Sequence, residues 1–133
     1  MSLELFDAIE SHDLPLLYAE IGRGADPGRD HPRQPSWTPL KAAIEELSEG
    51  GPIEAVAFLL REFAPVDGGQ IPGGATALIV AALNKQPEAV RLLLVSGADP
   101  NVRDNEGETP LAICTRLGDV STASFLRACG AVE

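Results

Sequence analysis

Two histidines, two cysteines, a cluster of glutamates and one glycine-rich run are the residues of this 133-residue chain with the types and spacing to do chemistry. His12 and His31 could act as general bases or metal ligands, and Asp30 beside His31 could orient an imidazole. A metal site needs three or four converging ligands, so each reads as a lone surface histidine. Glu45, Glu46 and Glu49 could pair for acid–base work or hold a cation. Carboxylates need burial or a shared site to shift their proton affinity, and on a solvated helix these three read as charge display. Gly69-Gln70-Ile71-Pro72-Gly73-Gly74-Ala75-Thr76 has the outline of a phosphate loop. Ala75 stands where the phosphate-binding lysine must be and Gly69 follows no strand pattern, so that reading fails. Cys114 and Cys129 are too few for a disulfide framework, match no zinc spacing, and sit in apolar contexts that predict buried, reduced thiols. The sequence therefore predicts no catalytic site, no metal and no cofactor.

The elements that must position these residues are announced by two recurring phrases. Thr38-Pro39-Leu40, Thr76-Ala77-Leu78 and Thr109-Pro110-Leu111 each open a short alanine-rich segment. Alternating with them are Gly24-Ala25-Asp26-Pro27, Gly97-Ala98-Asp99-Pro100 and a truncated Gly130-Ala131. Thr76 and Thr109 lie 33 residues apart, as do Gly97 and Gly130. A fixed period of this length means stacked supersecondary units, each burying its apolar face against its neighbours.

The unit around residues 76–107 shows how one repeat is built. Thr76 can cap a helix with its hydroxyl, and Leu78, Val80, Ala81 and Ala82 supply an apolar face. Asn84-Lys85-Gln86 interrupts the pattern. Pro87 suits the first turn of a second helix, where its missing N–H costs nothing. Ala89, Val90, Leu92, Leu93 and Leu94 form that helix's buried face, and Gly97 suits its left-handed end. A turn-rich connector then runs from Asp99 to Gly107.

These phrases and their period resemble the ankyrin repeat family, and the match is nearly complete from Gly74 through Asn101. The resemblance implies an all-α solenoid of stacked helix-turn-helix units joined by hairpin loops, as a single domain over residues 1–133. Its units fall at 1–27, an N-terminal cap with Ala8, Leu14, Leu16, Leu17 and Ile21 in core positions, then 28–66, 67–99 and 100–133, the last a C-terminal cap. Lys41, Ile79 and Ala112 replace the histidine that the family usually carries after Thr-Pro-Leu. The second repeat is about five residues long, its excess between Ala43 and Ile53 predicting an inner helix extended by a turn. Phe63-Ala64-Pro65-Val66 stands where Gly-Ala-Asp recurs, which leaves that helix without its glycine stop. Arg127 replaces a recurring leucine and suits an outer surface that meets water.

Charge narrows the class of partner. Ten Lys and Arg oppose 20 Asp and Glu, for a formal charge of −10. That balance argues against nucleic acid and favours a partner with a basic surface. Glu4, Asp7, Glu10, Asp13 and Glu20 precede the first base, Arg23. The N-terminus lacks a basic n-region, and the longest apolar stretch, Ala77 to Leu83, is far too short to span a membrane. A cytoplasmic monomer is expected.

The resemblance further implies recognition by hairpin tips and the concave side of the first helices. Carried over, that face holds Glu10, Ser11, Gln34, Pro35, Trp37, Glu45 and Glu46. It continues through Pro72, Ala75, Leu83 and Asn84 to Arg103, Asn105, Glu106, Glu108, Arg116 and Leu117. Trp37 is the single tryptophan and either fills a pocket on a partner or packs beneath the 27–36 connector. Leu83 and Leu117 either form an apolar patch or pack between repeats. The expected function is that of a small acidic adaptor or inhibitor, immunity- or antitoxin-like as a special case, and not an enzyme. The alternative is a structural subunit that assembles with itself or with a permanent neighbour.

Overall fold

The structure, a computed structural model, describes residues 4–29, 31–34, 37–62, 64, 66–67 and 76–132. Eight helices form among them: α1 Glu4–Glu10, α2 Leu14–Gly22, α3 Pro39–Leu47, α4 Ile53–Arg61, α5 Ala77–Leu83, α6 Pro87–Val95, α7 Pro110–Leu117 and α8 Val120–Ala128. Each odd-numbered helix packs antiparallel against the next even-numbered one. The odd helices form one row, with α1 on α3, α3 on α5 and α5 on α7, and the even helices form a second row. No helix among the described residues is long and apolar enough to cross a membrane. The all-α repeat solenoid expected from the periodic phrases is the fold observed.

Capping chemistry explains where the inner helices begin. The hydroxyls of Thr38, Thr76 and Thr109 accept from the backbone N–H of Lys41, Ile79 and Ala112 at 3.2, 3.4 and 3.1 Å. All three threonines are buried, so each cap also satisfies its own side chain. Asp13 and Asp119 do the same for α2 and α8, accepting from Leu16 N–H and Thr122 N–H. Caps of this kind are each worth about 1 kcal/mol.

The helix ends are more uniform than the sequence suggests. All eight close with a backbone bond that spans five residues. In the inner row Asp13, Gly51, Gln86 and Asp119 donate to the carbonyls of Ala8, Glu46, Ala81 and Cys114 at 2.8–3.0 Å. In the outer row Ala25, Ala64, Ala98 and Ala131 donate to Glu20, Leu59, Leu93 and Leu126 at 2.9–3.0 Å. This closure requires a left-handed residue just before the donor. Gly97 supplies it with φ 99°, as expected, but His12 and Lys85 supply it with φ 60° and 54°, where a side chain is strained. Ala64 makes the same bond as its counterparts although no glycine precedes it; Phe63 and Pro65 lie outside the described residues.

The same bonds locate the extra length of the second repeat. From Thr76 to Ala81 and from Thr109 to Cys114 is five residues, whereas from Thr38 to Glu46 is eight. The inner helix is thus extended by three residues, nearly one turn, as the sequence predicts. The Gly51-Pro52 step before Ile53 adds one more.

The core runs unbroken between the two rows, with Leu17, Leu40, Ile44, Leu59, Leu78, Ile79, Leu93, Leu111, Ile113 and Leu126 at 1% exposure or less. Alanines fill the sites of closest approach, with Ala43, Ala77, Ala81, Ala82 and Ala89 also buried. Successive connectors are stitched by side chains. The Asp67 carboxylate accepts from Asp99 N–H, and Asn101 bridges Gly130 and Val132, accepting from Val132 N–H at 2.8 Å.

One core position is occupied by an acid, and one of the two cysteines differs from expectation. Glu20 occupies the position held by Leu59, Leu93 and Leu126 in the later outer helices, and it is buried at 7% exposure. Arg23, one turn on, reaches back to its carboxylate. Cys114 is buried as predicted, but Cys129 is exposed, because it is the C-cap residue of α8, a position that Arg23 and Ser96 also leave exposed at the ends of α2 and α6. Arg127 is exposed, in keeping with its place on the last outer helix.

Candidate partner-binding face

The residues that could do chemistry do not converge. His12 lies in the α1–α2 turn, and its Nε2 donates to Glu46 Oε1 at 2.8 Å. His31 is half-buried rather than a free surface group: its ring stands edge-on to Phe6 at 4.8 Å and its Nδ1 accepts from Arg33 N–H. Asp30 and residues 69–75 of the glycine-rich run lie outside the described residues. Burial pushes the Cys114 thiol up to about 11, and the charge of Asp119 adds to the shift, so it is the opposite of an activated nucleophile. Asp104, Glu106 and Glu108 bring carboxylate oxygens within 4.8 Å of one another. Asp104 already accepts from the N–H groups of Glu106 and Glu108, which holds the tip of its hairpin.

The predicted concave face is a surface of exposed and half-buried side chains along the inner row, tied together across repeats. Glu45 Oε1 accepts from Asn84 Nδ2 at 2.7 Å, joining α3 to the end of α5. Beside it, Ser48 accepts from Gln86 Nε2 at 3.1 Å. With His12–Glu46, these bonds run from the first helix pair to the third. Glu45 and Glu46 are therefore cross-repeat braces and not simple charge display. At the far end Arg116 donates two bonds to Glu108, at 2.9 and 2.8 Å, which raises the proton affinity of the guanidinium through that hydrogen bond and the carboxylate's charge. Arg103 donates to the carbonyl of Gly107 at 2.7 Å.

Of the remaining predicted positions, Glu10 and Ser11 are exposed at the end of α1, Gln34 is exposed in the first connector, and Asn105 and Glu106 are exposed at the tip of the last. Pro35, Pro72 and Ala75 lie outside the described residues. Trp37 is half-buried and packs against the core; its backbone N–H donates to the Gln34 carbonyl, and its own backbone carbonyl accepts from His31 N–H at 2.7 Å. The two leucines separate: Leu117 is half-buried against the core, whereas Leu83 is 44% exposed. Among the described residues Leu83 is the one large apolar side chain exposed on an inner helix; the others, Tyr18, Val95, Val120 and Val132, lie on outer helices or the last residues.

The cross-repeat bonds are the part of this face that the sequence did not reveal. Each joins residues 34–39 positions apart, and no local pattern marks them. Left-handed His12 and Lys85 were equally hidden, since glycine is the usual signal of that conformation.

Comparison with known proteins places these features in context. A family model described as ankyrin repeats (3 copies) matches residues 5–104 and 49–132. The chain is similar to human ankyrin repeat and SOCS box protein 10, 39% identical over 94 residues, covering 71% of this chain and 19% of that protein. It is 41% identical to the mitochondrial disaggregase of Bos taurus over 64 residues, 48% of this chain and 9% of the relative. Over 117 residues, 88% of this chain and 37% of the relative, it is 28% identical to NF-kappa-B inhibitor alpha of Sus scrofa. The chain thus spans well under half the length of each of these relatives.

Proposed function

The chain belongs to the ankyrin repeat family, a family of protein–protein interaction modules, and from that premise we propose that it is an acidic adaptor or inhibitor that binds its partner along the inner-helix face. The observation that carries this reading is Leu83, an exposed leucine on the third inner helix, adjoined by the Glu45–Asn84 pair. An apolar side chain within a polar rim is the arrangement of an interface hot spot. Asn84, Glu45 and Glu46 frame the centre of the proposed site, and Glu10, Gln34 and Trp37 extend it at one end. Arg103, Asn105, Glu106, Glu108, Arg116 and Leu117 extend it at the other.

Net charge of −10 supports a partner with a basic surface, since complementary potentials accelerate encounter. Three of the face's carboxylates are already bonded within the chain, to Asn84, His12 and Arg116. Glu10 and Glu106 have no such partner among the described residues, and they are the acids we assign to steering. One relative is named as an inhibitor, and steric blocking needs nothing beyond such a face. We propose that the protein acts as a monomer in the cytoplasm, without catalysis or cofactor.

The test is affinity capture from native lysate with the wild type and with a Leu83→Asp variant, read by mass spectrometry. One protein lost with the variant supports the reading. The same protein retained at equal affinity overturns the placement on Leu83. Recovery of this chain alone, with a concentration-dependent increase in sedimentation, favours the assembly-subunit alternative.

A further inference from the structure

The outer helices meet at three junctions, and the middle one is built differently. Counted back from the closing alanines Ala25, Ala64, Ala98 and Ala131, the residues seven positions earlier are Tyr18, Ala57, Arg91 and Ser124. Those six positions earlier are Ala19, Phe58, Leu92 and Phe125. Between α2 and α4 the register therefore brings Tyr18 to Phe58, whose rings stand edge-to-face with centroids 4.6 Å apart. Between α6 and α8 it brings Arg91 over the Phe125 ring at 5.4 Å. Between α4 and α6 the corresponding pair is Ala57 and Leu92, and neither bears a ring or a long cation.

The missing bulk leaves a groove of about 410 Å³ on the outer side of the stack. Ile53, Ala57 and Leu92 floor it, and Glu54, Glu88 and Arg91 edge it. Arg91 is drawn toward α8 by Phe125. Glu54 and Glu88 stand in the first turns of α4 and α6, exposed, with no hydrogen bond or ion pair among the described residues.

We propose that this groove is a second docking site, separate from the inner-helix face, for a segment of a partner protein that presents an aromatic side chain flanked by lysine or arginine. The ring would complete in trans the contact that Tyr18–Phe58 and Arg91–Phe125 make in cis at the neighbouring junctions. The two free carboxylates on the rim select the basic flanks. An aromatic anchor suits a preformed apolar groove because it buries a large area while ordering few torsions.

The probe is a fluorescein-labelled peptide with a central phenylalanine between paired lysines in a glycine-serine background, followed by anisotropy. Saturable binding is expected, weakened about tenfold or more when the phenylalanine becomes alanine or the lysines become glutamate. Ala57→Tyr repeats on α4 the ring that Tyr18 carries on α2 and should abolish binding by filling the groove. Should that variant fold poorly by circular dichroism, the surface pair Glu54→Lys, Glu88→Lys serves instead, with a tenfold loss expected and a flattened salt dependence. Leu83→Asp should change nothing.

Several results would overturn the proposal: no binding up to millimolar peptide, equal binding of the phenylalanine and alanine peptides, or binding retained by Ala57→Tyr. Loss with Leu83→Asp would move the peptide to the inner face. A dimer of the protein dissolved by Ala57→Tyr would identify a second copy as the occupant.

Discussion

The amide of Asn84, at the end of the third inner helix, donates to the carboxylate of Glu45 at 2.7 Å, in the repeat before it. The two residues are 39 positions apart and stand beside exposed Leu83, so the surface proposed for binding is also a seam between repeats. In a stack where each unit touches only its neighbours, such seams carry the coupling that makes unfolding cooperative. Changing a residue here alters stability as well as recognition, and the two must be measured together.

Asn84→Ala removes this bond without touching the core. Glu45 is exposed and Asn84 half-buried, so the loss should be about 0.5–1 kcal/mol, read as a lowered midpoint in urea. A double change with Glu45→Ala should cost little more than either alone. Additive losses would mean that the two side chains are not coupled.

Lys85 and Gly97 both hold left-handed positions, with φ 54° and 99°, and should respond in opposite directions. Lys85→Gly relieves the strain of a side chain there and should stabilise by roughly 0.5–1 kcal/mol. Gly97→Ala introduces that strain and should destabilise by about 1 kcal/mol or more. Open space surrounds the Cβ that Gly97 would gain, so the effect isolates the backbone from packing.

Glu20 stands where later repeats place a fully buried leucine. Glu20→Leu should be neutral or stabilising by up to about 3 kcal/mol, because a desolvated carboxylate is replaced by apolar packing. Arg23→Ala leaves the buried carboxylate without its partner and should destabilise by about 1–3 kcal/mol. By contrast, Leu93→Ala at the equivalent site of α6 should cost about 2–5 kcal/mol. Thermal unfolding of the three variants orders them.

The two thiols should be distinguishable by reaction with a chromogenic disulfide reagent. Cys129 is expected to react in the native state, and Cys114 only after denaturation. Burial raises the Cys114 thiol from 9.0 to about 11, so the folded state holds its proton longer than the unfolded chain. As pH rises from 9.0 toward about 11, the unfolded state binds fewer protons than the native state, and stability should fall. In the Cys114→Ala protein this part of the alkaline loss should vanish.

How much of this protein its sequence decides can be argued residue by residue. Thr38, Thr76 and Thr109 are N-caps because a short hydroxyl side chain reaches the N–H three residues on, a relationship that lies within one turn. Pro87 begins α6 and Gly97 ends it for equally local reasons. The apolar spacing of Leu78, Ala81, Ala82, Ala89, Val90 and Leu93 reads directly as two facing helices. The 33-residue recurrence then stacks the units, since no single pair can bury its own face. Even the added turn in the second repeat is visible as an insertion of known position.

What only the tertiary structure decided are relationships between residues one repeat apart. Glu45 and Glu46 look like solvated charge until Asn84 and His12 are brought to them. Glu20 looks like a surface acid until the register places it among Leu59, Leu93 and Leu126. Cys129 lies in an apolar stretch, yet it is exposed because it caps the end of α8, where Arg23 and Ser96 are exposed on α2 and α6. The groove beside Ala57 exists because Ala57 and Leu92 happen to face each other where neighbouring junctions carry rings. Local sequence fixes the conformation of each turn, since the forces that set it act over four or five residues. The surface presented to a partner depends on which side chains the stacking brings together, and their separation along the chain hides that from any local pattern.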